Sequence, residues 1–356
     1  MELSGAEILI RTLIDHNLDT YFGYQGSCIM QIMDCLYDNN EARNIHVRHE
    51  QGAVHAACGY AQLTDKPGVV LVTSGPGATN TVTGIADAYC SGIPLLVITG
   101  QVSSNMLGTD AFQEADMISI TTPVTKWNCQ IRKADQIADT VMKALKIAVS
   151  DRPGPVLLDI TKDAQTNKAE YTPSLTPIDC SWAVTTKTTT IDNKPKNILY
   201  EEIIKTLHES GKKIVLAVDK VPNDFYSDEY LCSNKVLKSG IFGVSGFGLP
   251  AAIGASHATK DKTICLVAGG LEFQATIKEL GVILQQTLDI KMIILTNSPD
   301  NRFEIKNPDL IKFVSAYGIK GGRVEKKENL SGGIQKMLNS TGSYLLEVRD
   351  DLFENP

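Results

Sequence analysis

Glu50 has the most chemistry within its reach. It follows Arg48-His49 and opens Gln51-Gly52-Ala53, a stretch that runs on through Ala56, Ala57, Cys58, Gly59 and Ala61. Alanine is the best helix former, so these residues predict a slim helix with an acid at its start, against which something can pack very closely. Val69-Val70-Leu71-Val72 is continuously apolar and mostly β-branched, which suits a parallel strand buried on both faces. Thr73-Ser74-Gly75-Pro76-Gly77-Ala78-Thr79-Asn80 follows, and Gly75-Pro76-Gly77 breaks the strand where α/β folds place their ligands. An acid, Glu50, and an amide, Asn80, are thus candidates to meet a ligand at a strand end. The plainer alternatives are an acid that only complements the helix dipole and a turn that is only structural.

The elements that must position these residues read as alternating helices and strands. Ile8, Leu9, Ile10, Leu13 and Ile14 have helical spacing, Tyr21-Phe22-Gly23-Tyr24 reads as a short strand, and Gln25-Gly26-Ser27 as the turn before a helix at 29–37. Strands at 69–73, 94–99 and 155–160 then predict a doubly wound parallel sheet and a first domain over residues 1–165. Residues 166–196 contain Pro173, Pro177, Pro195 and many threonines without period, as a linker or surface strap does. From Leu199 the pattern restarts, giving a second α/β domain over 197–356. Its helices are expected at 199–209, 249–258, 274–286 and 309–317. Its strands are expected at 214–218, 263–268, 292–296 and 343–348, with a glycine-rich turn at 239–248.

The chain of 356 residues is long enough for two full cores. A net charge of -7 argues against nucleic acid or an anionic membrane as partner. The eight cysteines include no Cys-x-x-Cys pair and no zinc-like spacing, so a reducing cytoplasm is the expected compartment. The acidic Met1-Glu2-Leu3-Ser4-Gly5-Ala6-Glu7 leads straight into a helix and is not expected to be a signal peptide. The apolar runs are too short to span a bilayer. No Gly-x-Gly-x-x-Gly follows the first strand of either half, against a dinucleotide site.

Residues 23–163 closely resemble the pyrimidine-binding domain of thiamine-diphosphate enzymes, and specifically that of the acetolactate synthase large subunit. The phrases that carry the resemblance are Arg48-His49-Glu50-Gln51-Gly52-Ala53, Thr73-Ser74-Gly75-Pro76-Gly77-Ala78-Thr79-Asn80, Gly108-Thr109-Asp110-Ala111-Phe112-Gln113-Glu114-Ala115-Asp116 and Arg152-Pro153-Gly154-Pro155-Val156. The resemblance implies that Glu50 bonds the cofactor's pyrimidine ring, so that its aminopyrimidine takes the C2 proton. It places Thr73, Gly77 and Asn80 against the pyrimidine, and Gly26, Gln113 and Lys126 around the reaction centre. The turn that usually reads Pro-Gly-Gly is here Gln25-Gly26-Ser27.

Gly246-Phe247-Gly248-Leu249-Pro250-Ala251-Ala252-Ile253-Gly254-Ala255 is similar to the family's diphosphate-binding domain, with Ala316-Tyr317-Gly318-Ile319-Lys320 in support. By that resemblance Gly243, Ser245, Gly269, Gly270, Leu271 and Glu272 touch the cofactor. Gly270 stands where the family has its Mg²⁺-binding aspartate, Leu271 replaces a glycine and Ser245 a methionine. Mg²⁺ usually relies on one or two carboxylates besides phosphates, and the remaining candidates are Glu272 and Asn297. Beyond Asn297, Ser298-Pro299-Asp300-Asn301-Arg302 departs from the family's segment. The family's FAD-holding middle domain does not fit into residues 166–196, so FAD is not expected. Two outcomes are implied. One is a thiamine-diphosphate-dependent decarboxylase or carboligase acting on a small 2-oxo acid, built as a homodimer or homotetramer with sites between subunits; the small-residue helix after Glu50 would suit such an interface. The other is a catalytically silent relative serving as a binding, scaffold or partner subunit.

Overall fold

Strands that are apolar on both faces must lie side by side between layers of helix, and the chain builds two such sheets. The computed structural model describes residues 1–37, 39–173, 198–219, 235–296 and 307–349. They fall into two compact units, the first made of the described residues up to 173 together with Gly240–Phe242, the second of the other described residues. The first unit holds β1 (Glu2–Ser4), β2 (Thr20–Tyr24), β3 (Arg43–His46), β4 (Gly68–Val72), β5 (Leu95–Gln101), β6 (Trp127–Ile131), β7 (Pro155–Thr161) and β8 (Lys168–Glu170). The second holds β9 (Ile214–Asp219), β10 (Lys235–Lys238), β11 (Thr263–Gly269), β12 (Ile290–Thr296), β13 (Lys320–Val324) and β14 (Tyr344–Arg349).

The first sheet runs β3-β2-β4-β5-β7-β6 and the second β10-β9-β11-β12-β14-β13. All neighbours within both are parallel. The arrangement is the same in both: the second strand of each lies outside the first, and the third returns on the first one's other side. The order therefore reverses between β2 and β4, and again between β9 and β11, and such a reversal opens a crevice at the carboxyl ends of the two strands. This is the α/β architecture of two doubly wound parallel sheets that the sequence predicts.

Within the two six-stranded sheets, four strands go beyond that expectation, namely β3, β6, β10 and β13. Every one is the outermost strand of its sheet. An edge strand has one exposed side and needs no continuous apolar run, and Arg43-Asn44-Ile45-His46 or Lys320-Gly321-Gly322-Arg323-Val324 shows none. The helix expected at 274–286 is broken into Gly270–Ala275, a 3₁₀ turn Ile277–Glu279 and Leu280–Gln286. Thr276 leaves helical geometry at the break, with φ -125 and ψ 18, and its hydroxyl donates to the Gly246 carbonyl at 3.1 Å.

The expected strap also changes at its start. β8 pairs antiparallel with β1, joining Glu2 to Glu170 and Ser4 to Lys168, and the Tyr171 hydroxyl donates to Asp15 at 2.7 Å. Residues 168–171 are therefore part of the first unit, while residues 174–196 lie outside the described residues. Ser4 ends β1 and starts the helix Gly5–Asp15 through a reciprocal capping box with Glu7.

The helix Glu50–Thr64 is slim because it is enclosed. Ala53, Ala56, Ala57, Cys58 and Ala61 are all 0% exposed. Gly84 of the helix Val82–Ser91 meets Val54, and Gly68 at the start of β4 meets Ala57, so closely that neither glycine has room for a Cβ. The small residues thus serve packing inside the first unit, which corrects the expectation that they form a subunit interface.

The same helix buries His55 completely, and burial pushes its imidazole down to about 4 from 6.5. Between those values the unfolded chain binds the proton and the folded chain does not, so stability must fall as pH drops through that window. His55→Gln should remove this part of the acid loss, roughly 3 kcal/mol for the full gap. Urea denaturation at stepped pH reads the difference, and parallel curves for the two proteins would contradict it.

Candidate functional site

At the first crevice, three segments close on one carboxylate. Glu50 begins its helix because His49 is extended (φ -161, ψ 146) and its Nδ1 accepts from the Gln51 amide, which caps the turn. The Glu50 side chain is only 8% exposed. Its Oε2 accepts from Nδ2 of Asn80 at 2.9 Å. Asn80 reaches that place because the turn after β4 passes through Gly75 at φ +57, a left-handed conformation that glycine adopts without strain. Oε1 of Glu50 points to the Gly77 backbone and accepts no hydrogen bond among the described residues.

Thr73 packs the centre. Its hydroxyl accepts from the Cys28 amide at 3.2 Å, which turns its methyl toward the two glycines. A Cβ on Gly26 would collide with Cβ and Cγ2 of Thr73, and one on Gly77 would lie 2.7 Å from Cγ2. Both glycines are therefore required by close packing on Thr73, and Thr73 brings a methyl rather than a hydroxyl to the crevice. Gln113 is held at its rim with φ +62, its backbone against Gly75 and its Oε1 accepting from Ser27 Oγ at 3.4 Å. Gly26, Glu50, Thr73, Gly77, Asn80 and Gln113, predicted from sequence, thus come together.

Lys126 does not join them. It precedes β6, at the amino end of the sheet, and its ammonium donates to the Ile147 carbonyl and to the Ser150 carbonyl and hydroxyl. It closes the end of the helix Ile137–Val149, so its assignment to the reaction centre is withdrawn.

The second unit's crevice has other contents. Asp219 at the tip of β9 is 4% exposed and accepts from the Gly248 amide at 2.9 Å, which fixes the start of the helix Gly248–Ala258. At the tip of β11, Glu272 is 5% exposed and folds back so that Oε2 covers the Gly269 backbone. The space beside Gly270 is taken by Asn307, whose Oδ1 lies 2.5 Å from where a Cβ would be and accepts from Gln274 at 2.8 Å. Leu271 is 41% exposed. Gly243, at φ +66, and Ser245 lie on the exposed turn before that helix. Asn297 lies outside the described residues, as do Ser298 to Arg302.

Two family comparisons bear on these crevices. Residues 3–120 match the family described as "Thiamine pyrophosphate enzyme, N-terminal TPP binding domain", and residues 226–348 the one described as "Thiamine pyrophosphate enzyme, C-terminal TPP binding domain". The chain belongs to the thiamine pyrophosphate enzyme family. The first match takes in β2 to β5 of the first sheet and the second β10 to β14 of the second. Acetolactate synthase large subunits are among this family member's curated relatives. That of Corynebacterium glutamicum is 48% identical over 169 residues, 48% of this chain and 27% of the relative. The isozyme 3 large subunit of Escherichia coli is 46% identical over 188 residues, 53% of this chain and 33% of the relative. The mitochondrial catalytic subunit of Saccharomyces cerevisiae is 48% identical over 161 residues, 45% of this chain and 23% of the relative. The matched segment thus spans a third or less of these relatives' own length.

The residues present fit one half of the family's cofactor better than the other. The first crevice offers a buried carboxylate with one oxygen unoccupied, next to backbone without side chains at Gly26 and Gly77, which suits a nitrogen heterocycle. The tip of β11 offers Glu272, folded onto Gly269, and an amide across Gly270. Among the described residues no three His, Cys, Asp or Glu side chains converge as a metal centre. No helix among them is long and apolar enough to cross a membrane. Sequence reasoning missed Asn307, Asp219 and Ser27. Only Asp219 had a signal, an acid closing an apolar strand.

Gly26→Ala should cost about 1–3 kcal/mol, since the new Cβ overlaps Thr73. Ser27→Ala, which removes only two long contacts on an exposed residue, should stay within about 0.5 kcal/mol of the parent. Chemical denaturation of the two variants tests the pair of values, and equal stabilities would refute the packing role given to Gly26.

Proposed function

We propose that the chain is a thiamine-diphosphate-dependent enzyme similar to acetolactate synthase, which decarboxylates a small 2-oxo acid of the pyruvate kind and releases or transfers the two-carbon unit. The single observation that carries this reading is the buried Glu50 with Asn80 on one oxygen and the other oxygen open at the first crevice. Membership of the family and the acetolactate synthase relatives support it, and they give no support to the alternative of a silent scaffold.

When bound, thiamine diphosphate supplies a carbon nucleophile and an electron sink for the loss of CO₂ from a 2-oxo acid. The chain's own residues orient and protect that chemistry. Glu50 Oε1 would share a hydrogen bond with a ring nitrogen of the bound cofactor, and Asn80 keeps Oε2 from turning away. Thr73 gives the ring an apolar contact through its methyl. Gln113, with Oε1 turned to Ser27, has its Nε2 left to donate to a substrate carboxylate or carbonyl. The second unit, around Gly269, Gly270, Leu271 and Glu272 and with Gly243 and Ser245 on the nearby turn, takes the diphosphate end, with Asn297 and Glu272 as the oxygen ligands on offer to Mg²⁺. No step here runs through that metal. Half-sites on separate units also favour a homodimer or homotetramer in which a second copy completes each site. The small acidic-protein character of the chain fits a cytoplasmic enzyme without nucleic-acid or membrane partner.

Calorimetric titration with thiamine diphosphate, with and without Mg²⁺, tests the binding. Saturable binding that Glu50→Gln leaves largely intact is expected. Exchange of the cofactor's C2 proton for deuterium, followed by NMR, should slow by about 100-fold or more in that variant, the scale of a lost general acid–base group. An unchanged exchange rate, or no binding to the wild type at millimolar cofactor, would sink the proposal.

A further inference from the structure

A buried polar chain runs under the loop that carries Gln113. Asp159, in the middle of β7, is 0% exposed and receives three donors. Thr99 Oγ1 donates to Oδ1 at 2.7 Å, and the amides of Gln101 and Gln130 each donate to Oδ2 at 3.0 Å. Thr99 and Gln130 stand directly beside Asp159 in the ladders from β5 and β6. Gln101, the last residue of β5 and 1% exposed, has both of its N–H groups committed. Its Nε2 also donates to the Ala115 carbonyl at 2.8 Å, and its Oε1 accepts from the Val102 amide at 2.9 Å.

A carboxylate only accepts, so it dictates that the NH₂ of Gln101 faces it, and the second N–H of that group then has one place to go. That place is the Ala115 carbonyl, two residues beyond Gln113. From the other side the loop is tied to itself, with the Glu114 carboxylate accepting the Gly108 and Ala111 amides. Between these two fastenings Gln113 is kept in its left-handed conformation against Gly75.

We infer that Gln101 and Asp159 are the positioning residues that set Gln113 at the reaction centre, acting through the Ala115 carbonyl. The inference rests on the role proposed above for Gln113, and neither residue touches the crevice itself.

Hydrogen exchange on the unloaded chain tests the fastening apart from any reaction. Gln101→Met keeps the length of the side chain and removes both N–H groups. Exchange over residues 108–116 should quicken by about tenfold, the worth of one net hydrogen bond, while β4 and the helix Glu50–Thr64 keep their protection. Asp159→Asn, which places an amide against three donors, should show the same pattern. Gln130→Met removes a donor from Asp159 while leaving the Gln101–Ala115 bond in place, and should leave residues 108–116 as in the parent. With pyruvate as substrate, kcat of Gln101→Met should fall by about tenfold while the calorimetric Kd for thiamine diphosphate stays at the parent value. Unchanged loop exchange in Gln101→Met, or loss of protection across the whole sheet, or equal loosening by Gln130→Met, would overturn the inference. A parent protein that turns over no 2-oxo acid would instead overturn the proposed function and leave the exchange result readable.

Discussion

The hydrogen bond from the Asn80 amide to Glu50 is the contact around which the first unit is arranged. A carboxylate taken out of water costs several kcal/mol unless something bonds it, and here the bond has to come from a residue thirty positions away. That need fixes the turn after β4, since Asn80 arrives only if the chain reverses at Gly75, and it fixes how near the turn after β2 comes, since Gly26 and Gly77 both rest on Thr73. Satisfying one oxygen and leaving the other open is also what separates this acid from a structural one. A fully bonded Glu50 would be a cap.

The second unit repeats the strand order without repeating the chemistry. Its reversal between β9 and β11 makes a crevice in the same topological place, yet the acid there faces inward: Asp219 holds the Gly248 amide and Glu272 lies on Gly269. Asn307 and Gln274 bridge over Gly270. One fold can thus present an open carboxylate in one copy and side chains folded onto the backbone in the other, which is why function has to be argued from the tips of the strands and not from their order.

The parts of this arrangement that were legible in the sequence are those where burial leaves a composition behind. Val69-Val70-Leu71-Val72 and the apolar run of β12 announce central strands because both of their faces are covered. The edge strands β3, β6, β10 and β13 leave no such trace, being half in water. Among site residues, Glu50 and Asn80 were readable through their place in a long phrase, while Lys126 misled: the residue's charge is visible in sequence, but not that it lies at the wrong end of the sheet. Asn307 and the Gln101–Asp159 pair were illegible for a different reason. Asn307 meets Gln274 across 33 residues and Gln101 meets Asp159 across 58, and nothing local distinguishes a glutamine that holds a loop from one on the surface.

The pairing of β1 with β8 has a further consequence. It zips residues 2–4 to residues 168–170, with the Gly5 amide donating to the Asn167 carbonyl at 2.9 Å. Two segments more than 160 residues apart in sequence are thereby held as one ladder, so neither strand can fray without freeing the other. The small sheet is a clasp: it ties the start of the helix Gly5–Asp15 to the segment that follows β7.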